Sequence, residues 1–257
     1  MHHADAPPPS TQPPPRPRRI RRLLGLLVAL AMVWLFFLWP PPIWYTVAWP
    51  QETAFQSMRR HEDPASAANR RYQPVPLSAI APAIRRAVLV SEDHRFYEHD
   101  GFDALEMRKA MGYPRDSFDI LDGRDRKDFA RAVRRSLGSD REMRGASTIT
   151  QQLAKNLYLS PSRNPLRKVK EAVTAARLEL WLSKDRILAL YLNTAEFGDE
   201  IWGVEAASQA YFGKSAARLT RGEAAALAAT LPHPRTSNPA FQPGRMRWKQ
   251  NWILRRM

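Results

Sequence analysis

The longest apolar run of the chain extends from residue 23 to residue 39 and contains no charged and no strongly polar side chain. Its length lies at the lower edge of the roughly 17 to 25 residues that a helix needs to cross a bilayer. Five arginines lie in the Pro-rich residues 1–22 just before it, and the positive-inside rule keeps such a flank in the cytoplasm. The pattern therefore predicts a transmembrane helix over residues 23–39, with everything after residue 40 on the outer side.

The end of the apolar run bears on whether it is an anchor or a cleaved signal peptide. A signal peptide also has a basic start and an apolar run. However, Trp39-Pro40-Pro41-Pro42 lacks the small-x-small pattern of a cleavage site. We therefore favour an anchor that stays on the protein.

The pattern changes twice after the apolar run. Residues 40–76 are mixed and polar, and Pro64, Pro74 and Pro76 interrupt any long helix, which indicates a juxtamembrane connector. From residue 77 to residue 257, apolar positions recur with helical spacing, glycines are few, and no β-branched run alternates with polar residues. These features predict one mainly α domain over residues 77–257.

Helix-capping pairs support the helical interpretation. Thr148 with Gln151 and Thr220 with Glu223 have the spacing of a capping box, and Pro232 follows an Ala- and Leu-rich run that it should end. These pairs predict helices that begin after residues 148 and 220.

One stretch of the domain, residues 104–144, is unusually rich in charge. Such a composition is typical of a solvated loop or a mobile insertion. We predict a single helix there, near residues 129–137.

A helix predicted over residues 166–183 is apolar on most sides, so its middle should be buried. Two stripes cover it: Leu166, Val169, Val173, Ala176 and Leu180 on one side, and Ala175, Leu178, Trp181 and Leu182 on the other. Glu171 and Glu179 lie within this helix, and burying an ionised carboxylate is costly unless it is paired. A salt bridge with Arg167 or Lys168 would satisfy Glu171, and a role as a second active-site carboxylate is the alternative.

The charge of the whole chain is strongly positive. There are 40 Lys and Arg against 25 Asp and Glu, which gives a net charge of +15. This balance favours a polyanionic partner, either nucleic acid, an anionic membrane surface or a phosphorylated substrate. The chain has no cysteine, which excludes disulfides, thiolate catalysis and zinc-thiolate sites.

Acids and histidines crowd together just after an apolar run that ends at Val90. Glu92 lies where the buried helix gives way to polar sequence, and partial desolvation there can raise the pKa of a carboxylate toward that of a general base. Ordinary helix-end charges are the alternative interpretation. His94 and His99 lack the His-x-x-x-His spacing of a helical zinc site, so we predict no metal bound by histidine.

A second stretch, residues 145–156, is a glycine turn that enters a hydroxyl-capped helix. The N-terminus of such a helix is a natural site for an anion. Lys155, Arg163, Arg167 and Lys168 add four cations that together can bind a pyrophosphate. A routine N-cap with a basic solvated face is the alternative.

Taken in order, these motifs resemble those of the peptidoglycan glycosyltransferases that build glycan strands from lipid II. The matching motifs are Glu92-Asp93-x-x-Phe96-x-x-His99-x-Gly101, Gly145-x-Ser147-Thr148-Ile149-Thr150-Gln151-Gln152, Arg167-Lys168-x-x-Glu171, and Ile187-Leu188-x-x-Tyr191-Leu192-Asn193 followed by Phe197-Gly198. The chain has neither Ser-x-x-Lys nor Lys-Thr-Gly of the family's transpeptidase domain. It is similar to the monofunctional, single-span members.

The resemblance implies a lysozyme-like glycosyltransferase domain and a role for each matched position. It implies that Glu92 is the catalytic base and that Glu171 assists at the donor side. It implies that the donor pyrophosphate is held by Gly145, Ser147, Thr148, Gln152, Lys155, Arg163, Arg167 and Lys168. It implies that the motif is supported by Asp93, Phe96, His99, Gly101 and Asn193.

The resemblance also implies a location and partners. It implies a bacterial inner-membrane protein with a cytoplasmic N-terminus and a periplasmic catalytic domain, which binds lipid II, the growing strand and membrane lipid. It implies cell-wall synthesis or division proteins as further partners, and no nucleic acid. It implies no required cofactor, with a divalent cation, Mg²⁺ or Mn²⁺, able to share the stabilisation of the pyrophosphate.

One difference from the family and two alternative interpretations weigh against a simple transfer of the family's properties. The connection between the first two motifs, within residues 110–140, is longer than the family usually has, so no role is assigned to any residue there. A lysozyme-like muramidase or lytic transglycosylase also uses a glutamate in an α-rich domain, but it cuts glycan. A non-enzymatic basic module that binds membrane or nucleic acid is the other alternative.

Overall fold

The computed structural model of the chain describes residues 18–34, 42–115, 117–137, 147–158 and 165–257. Most of these residues are helical, which confirms the mainly α prediction. The α-helices are α1 Arg18–Val33, α2 Ala54–Glu62, α3 Pro64–Ala67, α4 Pro82–Glu92, α5 Ala104–Ala110, α6 Gly123–Leu137, α7 Ile149–Tyr158, α8 Pro165–Trp181, α9 Lys184–Thr194, α10 Val204–Phe212, α11 Arg221–Thr230 and α12 Gly244–Leu254. Short 3₁₀ turns span Pro42–Thr46, Leu77–Ala79, Phe96–Glu98 and Ala216–Arg218.

A small sheet that the sequence pattern did not indicate joins distant parts of the chain. Its strands are β1 Arg71–Tyr72, β2 Glu196–Gly198 and β3 Ile201–Trp202, in the order β1-β3-β2. Strand β3 pairs parallel with β1 and antiparallel with β2. Strands of two or three residues are too short to show a period of two in the sequence.

Helix α11 lies at the centre of the core. It packs extensively on α4 and α12, and its run from Ala224 to Thr230 is buried. Five of these seven residues are alanine, whose small side chains let neighbouring helices approach closely. Helix α7 packs in turn on α8 and α9, so the two halves of the core bring the C-terminus of α4 close to α7.

Helix α8 buries one of the two sides that the sequence pattern suggested. The core face contains Glu171, Ala175, Leu178 and Leu182. Leu180, on the other apolar side, is 55% exposed. The middle of the helix is therefore buried, but on one face only.

Both predicted capping boxes are present. The Thr220 hydroxyl accepts from the backbone N–H of Glu223, whose carboxylate accepts from the backbone N–H of Thr220 at 2.8 Å. Thr148 and Gln151 make the same reciprocal pair before α7, at 3.1 and 3.2 Å. Helix α11 ends at Thr230, just before Pro232.

Residues 42–76, which the sequence suggested as a connector, belong to the compact unit formed by Pro42 to Met257. Helix α2 begins with its own capping box between Thr53 and Gln56 and packs on α7. The segment therefore brings side chains of the N-terminal part of this unit to the region of α7.

Helix α1 is described separately from this unit. It starts in the basic flank and carries exposed leucines along its length. Among the described residues, no helix combines the length and the apolar composition that a bilayer span requires. Residues 35–39 of the predicted span lie outside the described part of the chain.

The described residues of the charged stretch form two helices where one was predicted. Helix α5 follows an N-cap at Asp103, which accepts from the backbone N–H groups of Leu105 and Glu106 at 3.0 Å. Helix α6 starts at Gly123, six residues before the predicted start near residue 129. The charged residues 124–128 hid its first turn because an apolar period is absent there.

Candidate active site

Glu92 is the last residue of α4, and its side chain is 14% exposed. Its Oε1 accepts from the hydroxyl of Ser91 at 2.8 Å and from Nζ of Lys249 at 2.9 Å. Its Oε2 has a longer contact, 3.3 Å, with Nε2 of Gln152. The carboxylate is therefore fixed mainly through one oxygen, and the other is the more available to a further hydrogen-bond donor.

Tyr191 orients the amide that faces this carboxylate. Its hydroxyl donates to Oε1 of Gln152 at 2.9 Å, so the amide nitrogen of Gln152 points to Glu92. Burial raises the pKa of Tyr191 well above its ordinary value, and the nearby carboxylates of Glu92 and Asp93 raise it further. The phenol thus keeps its proton and remains a donor.

Lys249 is a site residue that the sequence did not single out. It lies on α12, which packs on α4, and forms a 2.9 Å ion pair with Glu92. Helix α12 carries two other basic residues, Arg245 and Arg247, so composition alone does not distinguish this one. Only the packing of α12 against α4 identifies it.

Asp93 ties the first motif to the second. It is buried, and its two oxygens contact Nε2 of His99 and the backbone N–H of Ile149, each at 3.0 Å. Ile149 is the first residue of α7. A carboxylate at a helix N-terminus stabilises that end of the helix, so Asp93 and His99 fix α7 relative to Glu92.

Among the described residues, polar groups at the start of α7 form hydrogen bonds with other protein groups. The hydroxyl of Thr148 donates to the carbonyl of Gly101 at 2.7 Å and accepts from Gln151. Thr148 is buried, and the N–H of Ile149 is taken by Asp93. Thr148 therefore acts as the predicted helix cap, and its contact with a pyrophosphate stays a prediction. Ser147 beside it is half-buried.

Gly101 needs its glycine because its φ is +83° and a Cβ would lie 3.1 Å from Cγ of Glu179. Glu179 accepts from the hydroxyl of Thr150 at 2.6 Å and from Nζ of Lys184 at 2.8 Å. Lys184 also donates to the carbonyl of His99 and lies 4.6 Å from the ring centroid of buried Phe96. Glu179 is therefore paired, and it helps to join the first two motifs.

Glu171 lies on the core face of α8 and is 3% exposed. The side chains of Arg167 and Lys168, one turn earlier on the same helix, lie outside the described part of the structure. Gly145 and Arg163 are also outside it. The predicted pyrophosphate contacts of these four residues therefore remain predictions.

A cavity of about 240 Å³ opens beside Gln152 and Tyr191. Lys155 lines it, is exposed, and makes no ion pair within the described residues. The remaining lining residues are Phe55, Arg59, Asn156, Ala195, Glu196, Leu231, Pro232 and Pro234. The cavity thus shares Gln152 with the Glu92 site and carries a cation on the helix that the sequence predicted to bind pyrophosphate.

Arg59 is a second residue that the sequence did not single out. It lies on α2, in the segment predicted to be a connector, and donates to the buried carboxylate of Glu196 at 3.2 Å. Arg235 donates to the other oxygen of Glu196 at 2.9 Å. These pairs hold α2, β2 and the segment after α11 together at the wall of the cavity.

Asn193 supports the fold behind the site. Its side-chain amide donates to the carbonyls of Val75 and Ala189 and accepts from the backbone N–H of Val75, all within 2.9 Å. The residue is fully buried. It therefore fastens the segment before α4 to the C-terminal end of α9.

The described residues contain no cluster of metal ligands. No group of three His, Cys, Asp or Glu side chains among them is placed to hold one. His99, the histidine of the first motif, is engaged with Asp93.

Comparison with known proteins identifies the family. The sequence profile of a family described as Transglycosylase matches residues 60–115 and 116–257. The chain is 37% identical over 242 residues to the "Biosynthetic peptidoglycan transglycosylase" of Bordetella pertussis, with 93% of each chain covered. Proteins of the same name from Azoarcus sp. and Citrobacter koseri are 36% and 39% identical over 245 and 246 residues. These alignments cover 91% and 92% of this chain, and 96% and 88% of the two relatives. They confirm the resemblance that the order of the motifs indicated, and the chain is therefore an enzyme of the transglycosylase family.

Proposed function

We propose that this enzyme polymerises lipid II into β-1,4-linked peptidoglycan strands and releases undecaprenyl pyrophosphate. The main support for this proposal is the position of Glu92. Its carboxylate is mostly buried, and Gln152 links it to a cavity lined by Lys155. A base beside a cation-lined cavity suits a reaction that removes a proton from one substrate and expels an anion from the other.

In this mechanism Glu92 accepts the proton of the 4-hydroxyl of the acceptor lipid II. The resulting oxygen nucleophile attacks the anomeric carbon of the growing strand, whose bond to the pyrophosphate breaks. The attack inverts the configuration, so an α-linked donor gives a β-1,4 bond. Oε2 of Glu92 suits the proton transfer because Oε1 already accepts from Ser91 and Lys249.

The leaving group carries two phosphates, so fixed cations near the departing oxygen should supply a large part of the catalysis. Lys155 is the described candidate because it is exposed and lines the cavity. Arg163, Arg167, Lys168 and Glu171 are assigned to the donor side by the family motifs. The guanidinium groups among them suit forked phosphate contacts, and the lysines suit point-charge contacts.

The proposal includes the cellular setting. The basic flank and the apolar residues 23–39 support a single-pass protein of the bacterial inner membrane with a cytoplasmic N-terminus. A substrate whose lipid tail stays in the bilayer needs an enzyme whose cavity stays near it. Cell-wall synthesis or division proteins are the expected protein partners.

The test separates synthesis from cleavage. The full-length enzyme in detergent or vesicles is incubated with lipid II and, separately, with purified glycan strands. We expect lipid II to give polymer together with undecaprenyl pyrophosphate, while the glycan strands keep their length. Shortened glycan with no polymer from lipid II would instead assign the enzyme to the glycan-cleaving class.

A further inference from the structure

The stretch between α5 and α7 holds a small ordered module that the proposed function does not use. The rings of Tyr113, Phe118 and Phe129 form one aromatic cluster, with centroid distances of 6.1, 6.4 and 5.1 Å. Ala132 of α6 is fully buried as well. The segment therefore presents fixed surfaces, which an unstructured loop does not.

The acidic residues of this module are used internally. Arg115 forms ion pairs with Asp125 and Asp128, the second at 2.8 Å. Asp125 is buried and also accepts from the backbone N–H of Asp119 at 2.8 Å. Asp128 also pairs with Arg131 at 3.1 Å, and Asp122 lies 3.8 Å from Arg124. These two arginines are therefore partly neutralised, whereas Lys127 and Arg134 form no ion pair among the described residues.

The basic residues of α6 share one exposed face. Arg124, Lys127, Arg131 and Arg134 follow the spacing i, i+3, i+7 and i+10, which places them on one side of a helix. All four are exposed. The buried Asp125 and Ala132 lie on a different side, so the cationic stripe faces solvent.

Two large apolar side chains are exposed immediately before this stripe. Ile120 and Leu121 are 66% and 84% exposed, in the turn that leads into α6. Two neighbouring apolar side chains beside a row of Lys and Arg form the combination by which interfacial segments bind anionic lipid. An acidic protein partner would account for the cations but not for the exposed pair.

We propose that the insertion is a membrane-docking element: Ile120 and Leu121 enter the interface of an anionic bilayer, and the stripe of Arg124, Lys127, Arg131 and Arg134 contacts its headgroups. This goes beyond the proposed function, because it assigns a role to a segment outside the motifs and holds for any reaction at the cavity. Each cation close to an anionic leaflet strengthens association by about fivefold. The insertion would hold this part of the domain against the surface that carries a lipid-linked substrate.

The test uses the full-length chain, which has no cysteine of its own. Leu121→Cys is labelled with a polarity-sensitive fluorophore, and the protein is reconstituted into vesicles of phosphatidylcholine alone or of equal parts phosphatidylcholine and phosphatidylglycerol. We expect the emission to rise by about twofold or more, and to shift to the blue, only in the anionic vesicles. High salt should reverse the effect, because it screens the attraction.

A charge reversal on the stripe and a matched control complete the design. Lys127→Glu with Arg134→Glu, added to the labelled chain, should return the emission to its level in neutral vesicles. Arg218→Glu with Arg221→Glu changes two exposed arginines elsewhere by the same charge and should leave it unchanged. The salt titration needs neither reversal, so it remains informative if a variant does not fold.

Several outcomes would overturn the proposal. Equal emission in both kinds of vesicle would show that anionic headgroups do not attract the stripe. An equal loss of emission in the control variant would show that the effect depends on the overall charge of the protein and not on the stripe. A rise on adding polyglutamate without vesicles would assign the surface to an acidic protein partner instead.

Discussion

At the scale of single residues, Lys249 fixes the orientation of the Glu92 carboxylate. Its ammonium group occupies Oε1 of the carboxylate at 2.9 Å, together with the hydroxyl of Ser91. Oε2 is thereby the oxygen left for the acceptor hydroxyl in the proposed reaction. In the proposed reaction Lys249 is a positioning residue, because it acts on the base and not on the sugar.

We expect Lys249→Met to lower the rate of lipid II polymerisation by roughly tenfold to a hundredfold, because a misplaced base loses its near-attack geometry. The effect should appear mainly in kcat, since the cavity residues are unchanged. Arg247→Met is the matched control: it removes an exposed cation from the same helix and should leave the rate within about twofold. Equal rates for the two variants would show that Lys249 has no part in positioning Glu92.

The second residue-scale prediction concerns stability and pH at Glu223. Its hydrogen bond with Lys214, opposed in part by burial and supported by Thr220, holds the pKa of the carboxyl at about 2, below its ordinary value of 4.5. The pair is partly exposed, so it should contribute at most about 1 kcal/mol. Because the folded-state pKa is lowered, this contribution is present above pH 4.5 and is lost as the pH falls toward 2.

Glu223→Gln should therefore unfold at a lower urea concentration than the unmodified chain at pH 7. This gap between the two urea midpoints should narrow as the pH falls from 4.5 to 2. In a Lys214→Met background the gap at pH 7 should be smaller, because the partner is already gone. A gap that stays constant with pH would contradict the lowered pKa.

Local sequence was sufficient to find the residues of the candidate site that belong to its motifs. Glu92, Asp93 and His99 lie within one short stretch, and the structure brings them to α7. Lys249 and Arg59 were missed because their relevance depends on which helices pack together. The cap at Thr148 was predicted from its spacing to Gln151, and its contact with a pyrophosphate stays a prediction, since a hydroxyl at a helix start serves an anion and a capping bond equally well in the sequence.

At the scale of elements, the junction between α9 and α10 contains a glycine that no other residue can replace without strain. Gly203, the N-cap of α10, has a φ of +84°, and a Cβ there would lie 2.5 Å from the carbonyl oxygen of Asn193. The obstacle is backbone, so no side-chain rotation can relieve it. Asn193 is the same residue that fastens the segment at Val75 to α9.

Gly203→Ala should lower the free energy of unfolding by about 3 kcal/mol, because it combines a positive φ with a backbone clash. For a chain of this size the melting temperature should fall by roughly 10 °C. Gly222→Ala is the control, since a Cβ at that helical position meets nothing within 4 Å. Similar melting temperatures for Gly203→Ala and the unmodified chain would contradict the geometry described for this turn.

Elements were predictable where a chemical signal marks their ends. The capping pairs at Thr148 and Thr220 located the starts of α7 and α11. The start of α6 was missed because its first turn is charged, and β1, β2 and β3 were missed because they are very short. The buried face of α8 could not be chosen from sequence, since both of its sides are apolar and only packing selects one.

At the scale of the whole molecule, the site depends on segments that lie far apart in the chain. Glu196 of β2 joins Arg59 of α2 and Arg235 after α11. Glu196 and Arg59 both line the cavity that shares Gln152 with the Glu92 site. Residues 42–76, which follow the apolar N-terminal run, therefore contribute side chains to the candidate site. This arrangement explains why a stretch with no recognisable motif still contributes to the cavity wall.

The central claim is that the chain polymerises lipid II with Glu92 as the base. The most direct test compares strand formation from lipid II by the unmodified enzyme and by Glu92→Gln, which keeps the size of the side chain and removes its capacity to accept a proton. We expect the variant to melt within about 3 °C of the unmodified enzyme and to lose polymerisation by at least about a hundredfold. A variant that folds normally and still forms strands at most of the original rate would contradict the account.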